Sequence, residues 1–130
     1  MRLMRYINLF ERISGVSTKN CFIYNNIIIF AVPKKLISRA VGNKGENVRR
    51  IGEIFRKKIK IIPLSEDIGR FVEDVVEPIS FNKIEVRDGV VTISAGRQSK
   101  AALIGRNRTR EQELGEVLKN FFGVQRLRIM

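Results

Sequence analysis

Four residues, Gly42-Asn43-Lys44-Gly45, separate two apolar-periodic stretches within AVGNKGENVRRIGEIF, residues 40–55. Two glycines and a lysine at this spacing suit contact with a phosphate. Without Cβ atoms, Gly42 and Gly45 let backbone N–H groups come within hydrogen-bond distance of an anion. The stretch also opens a helix near Glu46, whose first turn carries unpaired N–H donors and about half a positive charge. An anion is favoured at such a terminus. Lys44, Arg39, Arg49 and Arg50 add attraction around it, while Ile37, Val41, Val48 and Ile61 can present an apolar groove. A helix C-cap accounts for Gly42 but not for Gly45 or Lys44. With 10 glycines in 130 residues, composition alone yields roughly 0.75 Gly-x-x-Gly by chance, so the motif gains weight only from its context.

Other chemistries are poorly supplied. There is no histidine and one cysteine, Cys21. That excludes a nitrogen–sulfur zinc site, an imidazole base and a Ser-His triad. Glu46 and Glu53 are the carboxylates near the loop, seven residues apart on one helix, and form no metal cluster. No enzyme activity and no cofactor are expected. A single cysteine allows no internal disulfide, which suits a reducing cytoplasm. The longest apolar run, Ile27 to Val32, is far below the ~20 residues of a membrane span. The beginning, MRLMRYINLFERIS, lacks the continuous apolar stretch of a signal peptide. A net charge of +12 and a pI near 10.6 point to a polyanionic partner.

The elements that must position the loop occur twice. A shift of 63 residues lays Gly42 on Gly105 and Ile51-Gly52-Glu53-Ile54-Phe55 on Leu114-Gly115-Glu116-Val117-Leu118. Asn25-Asn26 then falls on Asp88-Gly89, and Leu9, Ile13 and Val16 fall on Val72, Val76 and Ile79. One constant shift is expected to hold from end to end. Each copy opens with a helix, Met4–Ile13 or Glu66–Val76, the second capped by Ser65. A hairpin follows: Cys21–Tyr24 with Ile27–Val32, and Lys83–Arg87 with Val90–Ala95, around turns that tolerate positive φ. Short helices, Lys34–Val41 and Arg97–Ile104, end at Gly42 and Gly105. A longer helix and a last strand, Lys58–Ile62 or Val124–Ile129, close each copy.

The resulting order is αββααβ, an α+β, two-layer unit with a three-stranded sheet and helices on one face. The run Ile27–Val32 is apolar at every position, which implies that part of its open sheet face is covered, most simply by the other copy. Pro63-Leu64-Ser65 is too short and apolar for a flexible linker, so a rigid tandem is expected; separate tumbling of the copies in NMR relaxation would contradict it. Gly52 and Gly115 lie inside helices, where glycine costs about 1 kcal/mol against alanine, so close packing of another element is expected at both. Phe22, Phe30 and Phe55 read as core, and Lys34-Lys35 and Arg56-Lys57-Lys58 as solvated charge.

A Gly-x-x-Gly loop between two helices of an αββααβ unit resembles a KH domain of the prokaryotic type II kind. Two such units, with Gly105-Arg106-Asn107-Arg108 at the second loop, resemble the KH pair of the NusA family of transcription elongation and termination factors. The short archaeal members are the most similar, since the polymerase-binding and S1 segments of bacterial members have no counterpart in these residues. The resemblance implies a first KH domain over 1–64 and a second over 65–130. It implies single-stranded RNA as partner, clamped at the loop over about four nucleotides. It admits RNA polymerase as a further partner. A cytoplasmic monomer that does not bind membranes is expected. A ribosome-associated or ribosome-assembly role is the alternative, because KH folds occur there too.

Charge separates the copies. Residues 1–64 hold 14 Lys and Arg against 3 Asp and Glu, a net +11, whereas residues 65–130 hold 11 against 10, a net +1. The first copy is therefore the expected primary RNA site. The second loop has Arg108 where the motif has its last glycine. Either its guanidinium groups contact phosphate in place of the backbone, or the second copy only positions the first; the residues leave both open.

Overall fold

The computed structural model describes residues 2–130; the first residue of the predicted 1–64 copy lies outside them. The chain forms two compact units, Met1–Ser65 and Glu66–Met130, one residue from the boundary read in the sequence. In the first, α1 (Arg2–Ser14) is followed by β1 (Cys21–Tyr24), β2 (Ile27–Val32), α2 (Ile37–Val41), α3 (Glu46–Phe55) and β3 (Lys58–Pro63). In the second, α4 (Ile68–Val76), β4 (Lys83–Arg87), β5 (Val90–Ser94), α5 (Arg97–Ile104), α6 (Thr109–Phe122) and β6 (Arg126–Ile129) repeat that order. Each unit is α+β, with a three-stranded sheet ordered β1-β2-β3 or β4-β5-β6.

Local chemistry explains the elements. Tyr6, Phe10 and Ser14 are buried at spacings of four, one face of α1. The Ser14 hydroxyl donates to the Phe10 carbonyl at 2.7 Å and accepts from the Val16 amide at 3.1 Å, so the buried oxygen is satisfied as the helix ends. Asn25 and Asn26, at φ 53° and 61°, form the two-residue turn that joins β1 to β2 in antiparallel register, Tyr24 opposite Ile27. β3 then runs parallel to β2, Ile28 opposite Ile59. A parallel neighbour needs a crossover, and α2, the loop and α3 are that crossover. The core under them joins Tyr6, Phe10, Cys21, Ile28, Phe30, Val32, Ala40 and Ile51, with the rings of Phe10 and Phe30 stacked at 4.2 Å between centroids. Burial pushes the Cys21 thiol up to about 12, so it stays protonated and acts as a small apolar side chain.

β2 is fully buried from Ile28 to Val32, so both its faces are covered, as an unbroken apolar run requires. β5 differs: Val91 and Ile93 are fully buried while Val90, Thr92 and Ser94 are half-exposed, giving a sheet with one wet face. Phe22 and Phe30 are buried, as expected of core residues.

Several local expectations are corrected. α4 begins at Ile68, and Asp67 caps it by accepting from the amides of Gly69 and Arg70 at 2.9 and 3.4 Å. A carboxylate closer to the first apolar residue wins over Ser65. Asp67→Ala should lower stability by about 1 kcal/mol, measurable as a small shift of the denaturant midpoint. The segment read as Lys34–Val41 opens as a tight 3₁₀ turn, Lys34–Leu36, anchored by the Pro33 carbonyl accepting from the Leu36 amide at 2.8 Å. The shift of 63 does not persist to the end. β2 residue Ile27 pairs with Lys58, while its counterpart Val90 pairs with Arg126, a displacement of 68. The reason is α6, 14 residues against 10 in α3, followed by a turn of three residues against two. α3 stops where Arg56 turns left-handed; α6 runs one turn further, to Gly123. The two interior glycines also differ. A Cβ on Gly52 would meet the Lys57 carbonyl at 3.0 Å, but Gly115 has nothing within 4 Å. Close packing thus explains Gly52 and not Gly115.

Candidate nucleic-acid interface

The loop between α2 and α3 is a left-handed bend on an exposed corner. Gly42 ends α2 with φ 84° and ψ 169°, its amide donating to the Ser38 carbonyl at 3.0 Å. Asn43 to Gly45 make one 3₁₀ turn, closed by the Gly45 amide donating to the Gly42 carbonyl at 3.1 Å. Lys44 (φ 55°) and Gly45 (φ 74°) are both left-handed, and Gly45 hands the chain into α3. No side chain caps that helix start. Asn43 and Lys44 are exposed, and Gly42 and Gly45 are half-exposed. An uncapped, positively polarised helix start therefore opens beside a lysine.

The two glycines do different jobs. A Cβ on Gly42 would lie 2.8 Å from Asn47 Cγ and 2.9 Å from the Asn47 backbone nitrogen. Gly42 is thus demanded from within, by packing of the loop on α3. A Cβ on Gly45 would meet only Arg49 Nη1, at 3.7 Å. Nothing inside the chain fills the space beside Gly45, which leaves it open to a ligand.

The surrounding residues fall into three groups. Arg49 Nη1 donates to the Lys44 carbonyl, so Arg49 holds the bend. Arg39 sends its guanidinium to the end of α1, with Nη2 3.3 Å from where a Cβ on Gly15 would lie. Arg50 is exposed on α3. Ile37, Val48 and Ile61 are half-buried and pack on the rim of the core, and Val41 is half-exposed in the last turn of α2. α2 contacts both α3 and β3, which assembles this apolar rim beside the loop. Sequence reasoning missed Asn47. Its Nδ2 donates to the Arg39 carbonyl at 3.2 Å and ties α2 to α3 across the bend. Arg110, 63 residues on, makes the same tie to the Ala102 carbonyl at 3.2 Å, but the change of residue type hid it from the sequence.

The second loop keeps the backbone and changes the charge. Gly105 (φ 73°, ψ 171°), Asn107 (φ 57°) and Arg108 (φ 60°) reproduce the bend of the first loop. An arginine therefore adopts the left-handed state that glycine holds in the first unit. Arg106, Asn107 and Arg108 are exposed. The Arg108 guanidinium pairs with Glu111 at 3.0 Å. Glu111 stands at the position of Val48, so a carboxylate replaces part of the apolar rim. The Thr109 hydroxyl donates to the Arg106 carbonyl at 2.7 Å and steadies the turn.

Two successive αββααβ units, each carrying this tight bend before its third helix, define a two-layer α+β protein of duplicated architecture. No family model matches the chain. It is 27% identical over 128 residues, 95% of its length, to the probable transcription termination protein NusA of Methanococcus vannielii, of which 74% is covered. The protein of the same name from Methanocaldococcus jannaschii is 26% identical over 128 residues, with 70% of it covered. Among solved structures, that of APE1850 is 28% identical with a TM-score of 0.70, covering 98% of this chain and 96% of that one. The chain is thus related in sequence, along both units, to proteins named for transcription termination. Among the described residues no helix is long and apolar enough to cross a membrane.

Proposed function

We propose that this chain binds single-stranded RNA as a tandem pair of type II KH domains and serves as a NusA-like transcription termination or elongation factor. The observation that carries the reading is the first loop: an exposed left-handed bend, open beside Gly45, at an uncapped start of α3. The phosphate lies against this bend, where backbone amides and the helix dipole favour negative charge. Lys44 and Arg50 supply attraction, and Val41 and Val48 offer an apolar surface to the bases. Arg49 and Asn47 position the bend. The first unit is the principal site, because the second pairs Arg108 with Glu111 and carries little net charge. The names of the relatives support a place in transcription, with RNA polymerase as the machinery served. The chain acts as a cytoplasmic monomer without catalytic chemistry.

The test is salt-dependent binding of a short unstructured RNA, followed by fluorescence anisotropy. With about four phosphates engaged, log K should fall against log salt with a slope of about −3. A flat dependence, or equal affinity for duplex RNA of the same length, would contradict the proposal.

A further inference from the structure

The first unit carries an open cleft at the C-terminal end of α3, the opposite end of the helix from the bend. It lies between α1 and α3, measures about 270 Å³, and is lined by Arg5, Asn8, Leu9, Arg12, Ile54 and Phe55. Its floor is apolar and its charges are both cationic. Ile54 is 53% exposed, although Ile51 on the same helix is fully buried and Val48 and Phe55 are half-buried. Phe55 meets Tyr6 edge-on at 4.7 Å, and the Arg5 guanidinium lies 5.5 Å from its ring centroid. The rim cation is thus held in place by a ring of the floor.

In the second unit the corresponding flank is closed. Val117, the counterpart of Ile54, is only 5% exposed. The extra turn of α6 brings Phe121 and Phe122 onto Phe71 of α4, each at 5.2 Å between centroids. α3 lacks that turn, and the Tyr6–Phe55 ring pair of the first unit leaves Ile54 uncovered. A cleft this size takes about two large apolar side chains, and its two arginines select acids around them.

We propose that the α1–α3 cleft of the first unit docks an acidic amphipathic helix of a partner protein. Such a helix inserts apolar residues spaced i, i+3 or i+4, and i+7 over Leu9, Ile54 and Phe55. Its flanking Asp and Glu meet Arg5 and Arg12, with a unit of net charge +11 steering the encounter. This surface is separate from the proposed RNA loop, so protein and RNA bind together.

The experiment uses the full chain, ¹⁵N-labelled, and a synthetic helical peptide of about 18 residues with Leu and Phe on one face and Asp and Glu elsewhere. Amides of α1 and the end of α3 should shift, and those of Gly42 to Gly45 should not. Ile54→Gln, an exposed change that leaves the core untouched, should weaken the peptide at least about tenfold. Arg12→Gln should weaken it several-fold, and a peptide with Lys in place of its acids should not bind. RNA affinity should stay within about twofold in Ile54→Gln. No shifts at about 1 mM peptide would overturn the proposal, as would shifts confined to the Gly42 loop or displacement of the peptide by RNA. Cleft shifts caused by RNA alone would assign the surface to nucleic acid instead. A doubled sedimenting mass, lost in Ile54→Gln, would assign it to a second copy.

Discussion

Gly45→Asp should lower affinity for short single-stranded RNA by about 30- to 100-fold while the protein stays folded. The space beside Gly45 is empty of protein atoms apart from Arg49 Nη1 at 3.7 Å, so a new side chain enters without collision. It projects a carboxylate where the bend invites a phosphate. Two like charges about 4 Å apart repel by roughly 1 to 4 kcal/mol at the edge of a protein, depending on local screening. The middle of that range corresponds to the stated loss. Asp tolerates the left-handed state, and the second unit already holds Arg108 there. The stability loss should therefore be confined to the cost of a side chain in the left-handed state, about 1 kcal/mol. Gly45→Asn is the partner measurement, with the same shape and no charge. Loss in Asp but not in Asn identifies electrostatic exclusion; equal affinity of Gly45→Asp and the parent would remove the loop from the RNA site.

Gly42→Ala should instead unfold the loop, lowering stability by about 3 kcal/mol. Two costs combine. With φ 84° and ψ 169°, the residue occupies a region essentially reserved for glycine, worth about 1–3 kcal/mol. The new Cβ also lies 2.9 Å from the Asn47 backbone nitrogen, which cannot rotate away as a side chain can. The contact breaks where Asn47 ties α2 to α3. Chemical denaturation should show the loss directly, with Gly45→Ala costing about 1 kcal/mol as the control. RNA binding should fall in Gly42→Ala because the bend is misplaced. Similar stability of the two alanine variants would refute the division of labour between the glycines.

That division shows how far residue patterns reach. The Gly-x-x-Gly spacing marked the bend, and the helix was expected to open near Glu46, where α3 begins. Both hairpins were legible because Asn25-Asn26 and Asp88-Gly89 sit between β-prone runs, and turn chemistry acts over two residues. The start of α4 was misplaced because Ser65 and Asp67 are both good caps, and the choice between them lies in which carries the first buried turn. The break in the 63-residue shift escaped notice because the duplicated apolar pattern runs on smoothly through Leu114 and Leu118, with Phe121 continuing the same face. The helix end depends on where β6 must begin to pair with β5.

From the amino-acid order alone came the duplicated αββααβ plan, the position of the basic bend and the concentration of charge in the first copy. These follow from periodicity, turn propensity and residue counts, which are local or additive. Only the tertiary structure decided that Arg49 holds the bend while Arg39 turns to the end of α1, that Arg108 is matched by Glu111, and that a cleft stays open beside Ile54. Each of those depends on which distant backbone or ring a long side chain reaches. That direction is set by the packing of neighbouring elements.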